Sequence, residues 1–327
     1  MIEYTAYSDK FLGDFVKFWN ESFAAERNFI PVTDEIFRKR VINKRTALER
    51  FDPNGFIIAV ENDKILGFAH AGINSEDFCY ACFENWRGGT QGYIAIIYVK
   101  PQYRRKGVGS TLMQKAKAYL KDTSQIAIDG QCLNPFYGNS EGPFAPFWGT
   151  TEGISIKWID VETRAFLSKN GFSPRYKGVS MEIDLGKFDR NSAVTASEAL
   201  TKNGFLIKTM KRFYPILGEK LDRNISYSEN YDYDCVFCVK NNIAAGIITV
   251  YPMKELGPHK YAIFELIVQD EYRSLGIGRA LVLNALADIA AKNGKTCETL
   301  TLPGLSHAGF ELYRDIGFQA VCEWAIY

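Results

Sequence analysis

Residues 99–109 read Val-Lys-Pro-Gln-Tyr-Arg-Arg-Lys-Gly-Val-Gly, and residues 268–278 read Val-Gln-Asp-Glu-Tyr-Arg-Ser-Leu-Gly-Ile-Gly. In both places a β-branched, aliphatic run ends in polar turn residues and is followed by a Gly-x-Gly loop. Each loop precedes a helical pattern whose apolar residues recur at 108, 112, 116 and 120 and, 169 residues later, at 277, 281, 285 and 289. Because the loop and the helix face keep one register, the sequence predicts a duplicated domain.

The chemistry that such a loop favours is anion binding. A helix N-terminus has unpaired backbone N–H groups and about half a positive charge. Glycines let that backbone approach a ligand closely, and the flanking cations add charge. Arg104, Arg105 and Lys106 supply them in the first copy, whereas Arg273 alone does so in the second. Both loops are therefore predicted to bind a phosphate or pyrophosphate group. A tight strand-to-helix turn that needs glycine only for packing is the alternative.

Length and composition limit the class of protein. A chain of 327 residues predicts two domains, and its 46% hydrophobic and 24% charged residues are typical of a globular protein. The net charge of +1 gives no support for a nucleic-acid or membrane partner. We expect no signal peptide and no membrane span, because the N-terminus lacks an apolar run and later apolar runs are short. Seven cysteines predict free thiols in a reducing compartment, and hence a cytoplasmic protein.

The rest of the chain repeats in the same order. A hairpin is predicted at 56–73, with its turn at 61–64, and its counterpart follows 179 residues later. A strand over 179–185 is expected to close the first half, and the polar stretch that follows predicts domains 1–187 and 188–327. The Gly-, Pro- and aromatic-rich segment 134–149 predicts an ordered functional loop.

These residues resemble the GNAT superfamily, the acetyl-CoA-dependent N-acetyltransferases, in a tandem arrangement similar to that of mycothiol synthase. The family carries Arg/Gln-x-x-Gly-x-Gly/Ala, which both loops match, and commonly ends in Leu-Tyr-x-x-x-Gly-Phe. Residues 312–318 match that ending fully, whereas Leu167 stands in place of the tyrosine in the first half. The resemblance implies an α+β (mixed α/β) fold of two tandem GNAT-like domains. Each would be a mixed, mostly antiparallel sheet of seven strands, splayed where the donor enters and flanked by helices.

The resemblance also implies a donor site. Acetyl-CoA would place its pyrophosphate on a Gly-rich loop and its pantetheine arm along the preceding strand, with no metal required. The acceptor would be a small-molecule or peptide amine, and the protein a monomer or homodimer. The residues implied in binding coenzyme A are Val99, Arg104, Arg105, Lys106, Gly107, Val108, Gly109 and Ser110 in the first half, and Val268, Arg273, Ser274, Leu275, Gly276, Ile277, Gly278 and Arg279 in the second.

Direct transfer needs a group that removes a proton from the amine and one that protonates the departing thiolate. Tyr313 is the candidate acid on the family match, with packing of its helix as the alternative. Glu265 is the candidate base, because it interrupts an apolar strand. A carboxylate in such a strand requires either a polar partner or a functional role, since burying its charge is costly. An outward-facing or edge position for Glu265 is the alternative. We therefore expect the second half to be the catalytic one.

The first half leaves several readings open. It has the richer basic loop but no terminal tyrosine, so Tyr98 or Tyr137 would have to replace it, or this half binds coenzyme A without catalysis or binds nothing. Its aromatic loop would then form a wall of the acceptor pocket or cover its own core. A non-catalytic acyl-CoA-binding or regulatory protein, and transfer of another acyl group, remain alternatives for the whole chain.

The Cys-x-x-Cys spacing, which is common in zinc sites, occurs twice, at 79/82 and 235/238. The second pair lies in a predicted strand, where residues three apart face opposite sides. Zinc sites place such pairs in turns, so no metal site is predicted.

Overall fold

The structure is a computed structural model, and it describes residues 1–43, 51–82, 86–128, 136–137, 156–211 and 233–327. These residues form thirteen strands in two sheets, with eight α-helices around them. The strands are β1 (Glu3–Ala6), β2 (Phe56–Glu61), β3 (Lys64–Asn74), β4 (Gln91–Val99), β5 (Gln125–Ile128), β6 (Ile156–Lys157), β7 (Tyr176–Asp184), β8 (Leu206–Lys211), β9 (Asp234–Lys240), β10 (Ile243–Pro252), β11 (Lys260–Val268), β12 (Thr296–Thr301) and β13 (Gln319–Ile326). The helices are α1 (Leu12–Phe23), α2 (Asp34–Phe37), α3 (Glu76–Cys82), α4 (Val108–Tyr119), α5 (Val161–Lys169), α6 (Asn191–Thr201), α7 (Ile277–Ala291) and α8 (His307–Ile316).

The first sheet has the order β1-β2-β3-β4-β5 among the described residues. The strands β1 to β4 are antiparallel, and β5 is parallel to β4. Helix α1 packs its aromatic residues on one face, where Phe15 and Trp19 are fully buried. Helix α4 covers the other face with Leu112 and Ala116. The predicted spacing of apolar residues along this helix is therefore the spacing of its buried face.

Both predicted hairpins are present. The turn residues Asn62 and Asp63 have positive φ angles of 49° and 58°, and their counterparts Asn241 and Asn242 have 50° and 62°. Asparagine and aspartate tolerate this left-handed conformation better than most residues, which suits the tight two-residue turn. The duplication thus extends to the backbone angles of the turns.

The second sheet has the order β6-β13-β7-β12-β11-β10-β9-β8 within the described part of the chain. The strand that was expected to close the first half is β7, and this placement was wrong, because β7 lies between β12 and β13. The resemblance implied seven strands in each sheet, and the described parts of the two sheets have five and eight. The pattern of a buried strand does not specify its neighbour, so local sequence cannot show this exchange. The boundary at 187/188 remains a prediction.

In each sheet the central parallel pair is short. β4 pairs with β5 only from Gln91 to Ile94, although β4 continues to Val99. β11 pairs with β12 only over Lys260–Ala262, although β11 continues to Val268. The register of the adjacent antiparallel pair shifts close to both points, as expected for a β-bulge. Within the described residues, where β5 ends at Ile128, both sheets are therefore splayed at equivalent positions.

A buried ion cluster joins the two halves. Nη2 of Arg27, beyond α1, lies 2.8 Å from Oε2 of Glu182, and its Nη1 lies 2.6 Å from Oε2 of Glu298. The Glu298 side chain is fully buried, and Nζ of Lys260 lies 3.5 Å from it. Removing one partner from such a cluster leaves an uncompensated buried charge, which costs about 3–5 kcal/mol. The cluster therefore fixes α1 of the first half against the second sheet.

Candidate active site

The two Gly-rich loops share one backbone conformation. Arg105 and Gly107 have φ angles of 61° and 84°, and Ser274 and Gly276, 169 residues later, have 63° and 82°. An added Cβ at either glycine would meet nothing within 4 Å, so both loops are open toward solvent. Left-handed residues at alternate positions turn successive backbone N–H groups toward one side, which forms a concave anion site.

Helices α4 and α7 begin directly after these glycines. The first intrahelical bond at the start of α4 runs from the N–H of Thr111 to the carbonyl of Gly107, and at α7 from Ala280 to Gly276. The preceding N–H groups of each helix are therefore available to a ligand. The geometry required for binding a phosphate is present twice.

The charge around the two loops differs. In the first, Arg104 donates from Nε to the carbonyl of Val99 at 2.9 Å and lies over the ring of Tyr98. In the second, Arg273 makes the equivalent bond to Val268 at 3.3 Å, but its Nη2 also lies 2.6 Å from Oδ1 of Asp270. This exposed carboxylate offsets part of the charge of Arg273, so the second loop has less uncompensated positive charge than the first.

A cavity of 470 Å³ begins at the first loop. It is bordered by Arg104, Gly107 and Ser110 and follows β4 through the splay from Val99 to Ile94. Six residues of a strand span about 17–20 Å. The cavity therefore has the elongated form that a phosphate-bearing chain with a linear arm requires.

The cavity is bordered by both halves of the chain. Phe23, Glu26 and Arg27, at the end of α1 and just beyond it, border it from the first half. Lys157 of β6 and Trp324 of β13, both strands of the second sheet, border it from the other side. This wall was absent from the sequence predictions. The local sequence signal for this wall is Trp324, an aromatic residue near the end of β13.

Comparison with known proteins identifies the family. The sequence profile of the Acetyltransferase (GNAT) family matches residues 14–132 and 205–318, which together cover more than half of the chain. The chain belongs to the GNAT family. No curated protein sequence matches it. As a GNAT protein it is an acyltransferase, and the family generally uses acetyl-CoA as donor.

Solved structures share this tandem fold. A glucosamine N-acetyltransferase region of a fungal multi-domain GH3 β-N-acetylglucosaminidase gives a TM-score of 0.65 at 14% identity, covering 99% of this chain but only 37% of the fungal chain. A tandem GNAT protein from the clavulanic acid biosynthesis pathway gives 0.62 at 14% identity, covering 99% and 97%. A GCN5-related N-acetyltransferase from Sphaerobacter thermophilus gives 0.57 at 13% identity, covering 99% and 93%. These identities support the fold alone.

Tyr313, the predicted acid of this GNAT chain, is 6% exposed and packs against Phe318. Burial raises the pKa of its hydroxyl, which a hydrogen bond with Thr299 lowers in part. The corresponding residue of the first half, Leu167, is fully buried and borders the cavity. The position thus lies beside the splay in both halves, and the role of Tyr313 stays a prediction.

Glu265, the predicted base, is half-buried on β11. Its Oε1 accepts a hydrogen bond from the hydroxyl of Thr249 at 3.4 Å, and that hydroxyl lies 3.5 Å from the thiol of Cys235. The three side chains cross three adjacent strands on one face. The outward-facing alternative does not hold, and whether Glu265 takes part in catalysis stays a prediction.

Tyr137 and Tyr98, the two substitutes for a terminal tyrosine, have different surroundings. Tyr137 is fully buried, and its hydroxyl lies 2.8 Å from Nδ1 of His70. Burial raises the pKa of Tyr137 and lowers that of His70 to about 3. Tyr98 borders the cavity and is half-buried, with its hydroxyl 3.5 Å from the carbonyl of Ser22. The rest of the predicted aromatic loop lies outside the described residues.

The described side chains contain no group of three or more His, Cys, Asp or Glu residues placed to hold a metal ion. Cys235 and Cys238 are buried free thiols, and burial raises their pKa values to about 12 and about 11. Among the described helices, none is long and apolar enough to cross a membrane.

Proposed function

We propose that the chain transfers an acetyl group from acetyl-CoA to a primary amine, with the donor held in the first half. The cavity that leads from the loop at Arg104–Ser110 through the splay carries this proposal. The open, positive-φ Gly107 and the first N–H groups of α4 suit the pyrophosphate, and the part of β4 that borders the cavity suits a pantetheine arm. Bound there, acetyl-CoA supplies an activated thioester.

The transfer requires two proton movements, one from the amine and one to the sulfur. An alkylamine of pKa about 10.4 is mostly protonated at pH 7, which costs roughly 4–5 kcal/mol before attack. As the nitrogen–carbon bond forms and the carbon–sulfur bond breaks, the nitrogen loses a proton and the sulfur gains one. The site therefore needs a proton acceptor on the amine side and a donor near the sulfur.

Tyr98 is the proposed donor, because its hydroxyl belongs to a cavity-lining residue at the splay. The guanidinium of Arg104 lies 5.6 Å from the ring centroid and holds the ring beside the cavity. The β4 backbone that borders the cavity from Ile96 to Val99 is the proposed source of N–H donors to the thioester oxygen.

The test is release of coenzyme A thiol from acetyl-CoA in the presence of a primary-amine panel, with the acetylated product identified by mass spectrometry. We expect amine-dependent thiol release with one acetyl group gained per thiol. Tight binding of acetyl-CoA with no release against any amine would instead support a non-catalytic acyl-CoA-binding protein.

The second candidate places catalysis in the second half, with Tyr313 as acid and Glu265 as base. The bond from Thr249 to Glu265 supports it, since it holds the carboxylate beside the splay of the second sheet. The repeated loop geometry at Ser274 and Gly276 supports donor binding there. The ion pair of Arg273 with Asp270 weakens this candidate.

A further inference from the structure

The cavity that begins at the first Gly-rich loop is also bordered by an ion pair. Nζ of Lys157 lies 2.6 Å from Oε2 of Glu26, and both side chains border the cavity. Each is about one-third exposed, at 35% and 33%. Among the described residues, Lys157 contacts no other carboxylate. The pair joins the first half, at the end of α1, to the second sheet, at β6.

This pair differs from its neighbour in the chain. Arg27 lies between Glu182 and the fully buried Glu298, and its two Nη atoms pair with these carboxylates. The pair of Glu26 and Lys157 is open to the cavity, and an ion pair of that exposure contributes little to stability. A ligand with two opposite charges can replace both halves of the pair without leaving either charge unpaired.

We propose that Glu26 and Lys157 form the acceptor site and that the acceptor is a zwitterion, an amino acid with a free α-amino group. This inference rests on the proposed function. The acceptor ammonium binds Glu26 in place of Lys157, and its carboxylate binds the released Lys157.

Aromatic rings surround this pair. The rings of Phe23 and Tyr98 lie 4.8 Å apart, and both residues border the cavity. Trp324 borders it from the second sheet, where its Nε1 donates to the Ser180 hydroxyl at 2.8 Å and fixes the indole. Aromatic faces favour an apolar or aromatic side chain and also stabilise an ammonium group. The acceptor class is therefore an apolar or aromatic amino acid.

The acceptor ammonium group loses two protons during the reaction. The Glu26 carboxylate takes one proton from the ammonium, and the neutral nitrogen forms the bond to the acetyl carbon. The carbon–sulfur bond breaks, and Tyr98 gives its proton to the sulfur. The second proton of the nitrogen restores the Tyr98 hydroxyl through solvent, and Glu26 releases its proton. The products are the N-acetylated amino acid, coenzyme A and one proton.

The experiment compares three matched acceptors, L-phenylalanine, its methyl ester and phenethylamine, in the thiol-release assay with the full chain. We expect kcat/KM to be at least tenfold higher for L-phenylalanine than for either analogue. Lys157→Met should remove that preference by lowering kcat/KM for L-phenylalanine at least tenfold and leaving phenethylamine within about twofold. Glu26→Gln should lower kcat/KM for all three.

The control is Lys177→Met, which removes an exposed ion pair with Glu323 on the same sheet, 2.7 Å long and outside the cavity lining. It should leave all three acceptors unchanged. The dissociation constant of acetyl-CoA, measured by calorimetry for each variant, should stay within about twofold of wild type.

Two outcomes separate the inference from the proposed function. If the wild-type chain binds acetyl-CoA and acetylates phenethylamine or the methyl ester as well as L-phenylalanine, or acetylates none of the three, the zwitterion site is wrong, while the donor site stands. If acetyl-CoA does not bind at all, the proposed function itself fails.

Discussion

Two tyrosines of this chain differ in what surrounds their hydroxyl groups. Tyr98 is half-buried and borders the cavity, with Arg104 over its ring. Tyr313 is 6% exposed and packs against Phe318, and burial raises its pKa. The two residues therefore differ in how readily a ligand in the cavity can reach them.

We predict that Tyr98→Phe lowers kcat at least tenfold, because the leaving sulfur loses its proton donor. The dissociation constant of acetyl-CoA should change less than threefold, since the phosphate loop is untouched. Single-turnover thiol release and calorimetry measure the two quantities.

The comparison variant is Tyr313→Phe, which removes one hydroxyl that hydrogen-bonds with Thr299. It should lower the free energy of unfolding by about 1 kcal/mol and leave kcat within about twofold. A tenfold loss of kcat in Tyr313→Phe, with Tyr98→Phe active, would contradict this assignment and place catalysis in the second half.

Among the elements, β7 ties the two halves together. It follows α5 in the chain but lies between β12 and β13, pairing with both along most of its length. Val179, Met181 and Ile183 pack into the core of the second half. A central strand cannot be removed without exposing the backbone groups of both neighbours.

We predict that a chain of residues 188–327 fails to fold, whereas residues 172–327 form a cooperative unit. The longer chain keeps β7 and therefore a continuous sheet from β13 to β12. Thermal unfolding followed by circular dichroism distinguishes the two. Equal, cooperative unfolding of both chains would show that β7 is dispensable for the second core.

The repeated elements were predictable because short-range rules determine them. The backbone is left-handed at Gly107 and Gly276, directly before a helix, and at Asn62 and Asn241, in the turns between strands. Glycine and asparagine adopt this conformation more readily than other residues. Period-2 and period-3.6 patterns then identify the flanking strands and helices. The conformation of the two Gly-rich loops was therefore accessible from sequence.

The remaining features depend on long-range contacts. The place of β7 in the second sheet depends on which strand pairs with it, and its own pattern of buried residues suits either sheet. The acceptor-side wall of Lys157 and Trp324 follows from that arrangement, since both belong to strands beside β7 or β13. No local pattern links these residues to Glu26, more than a hundred positions away.

At the scale of the whole molecule, duplication has produced two unequal halves. The first keeps a basic loop without adjacent carboxylates, whereas the second has Asp270 and Glu271 beside its single Arg273. The second sheet supplies Lys157 and Trp324 to the cavity of the first half. We infer that the first half binds the donor and that the second completes the site.

The most direct test of that division is native mass spectrometry of the full chain with acetyl-CoA. Gly107→Glu and Gly276→Glu form a matched pair, because both glycines have nearly equal positive φ angles and open surroundings, so the backbone strain is the same. We predict one bound acetyl-CoA per wild-type chain, loss of that binding in Gly107→Glu, and its retention in Gly276→Glu. Retention in Gly107→Glu with loss in Gly276→Glu would contradict the assignment of the donor to the first half.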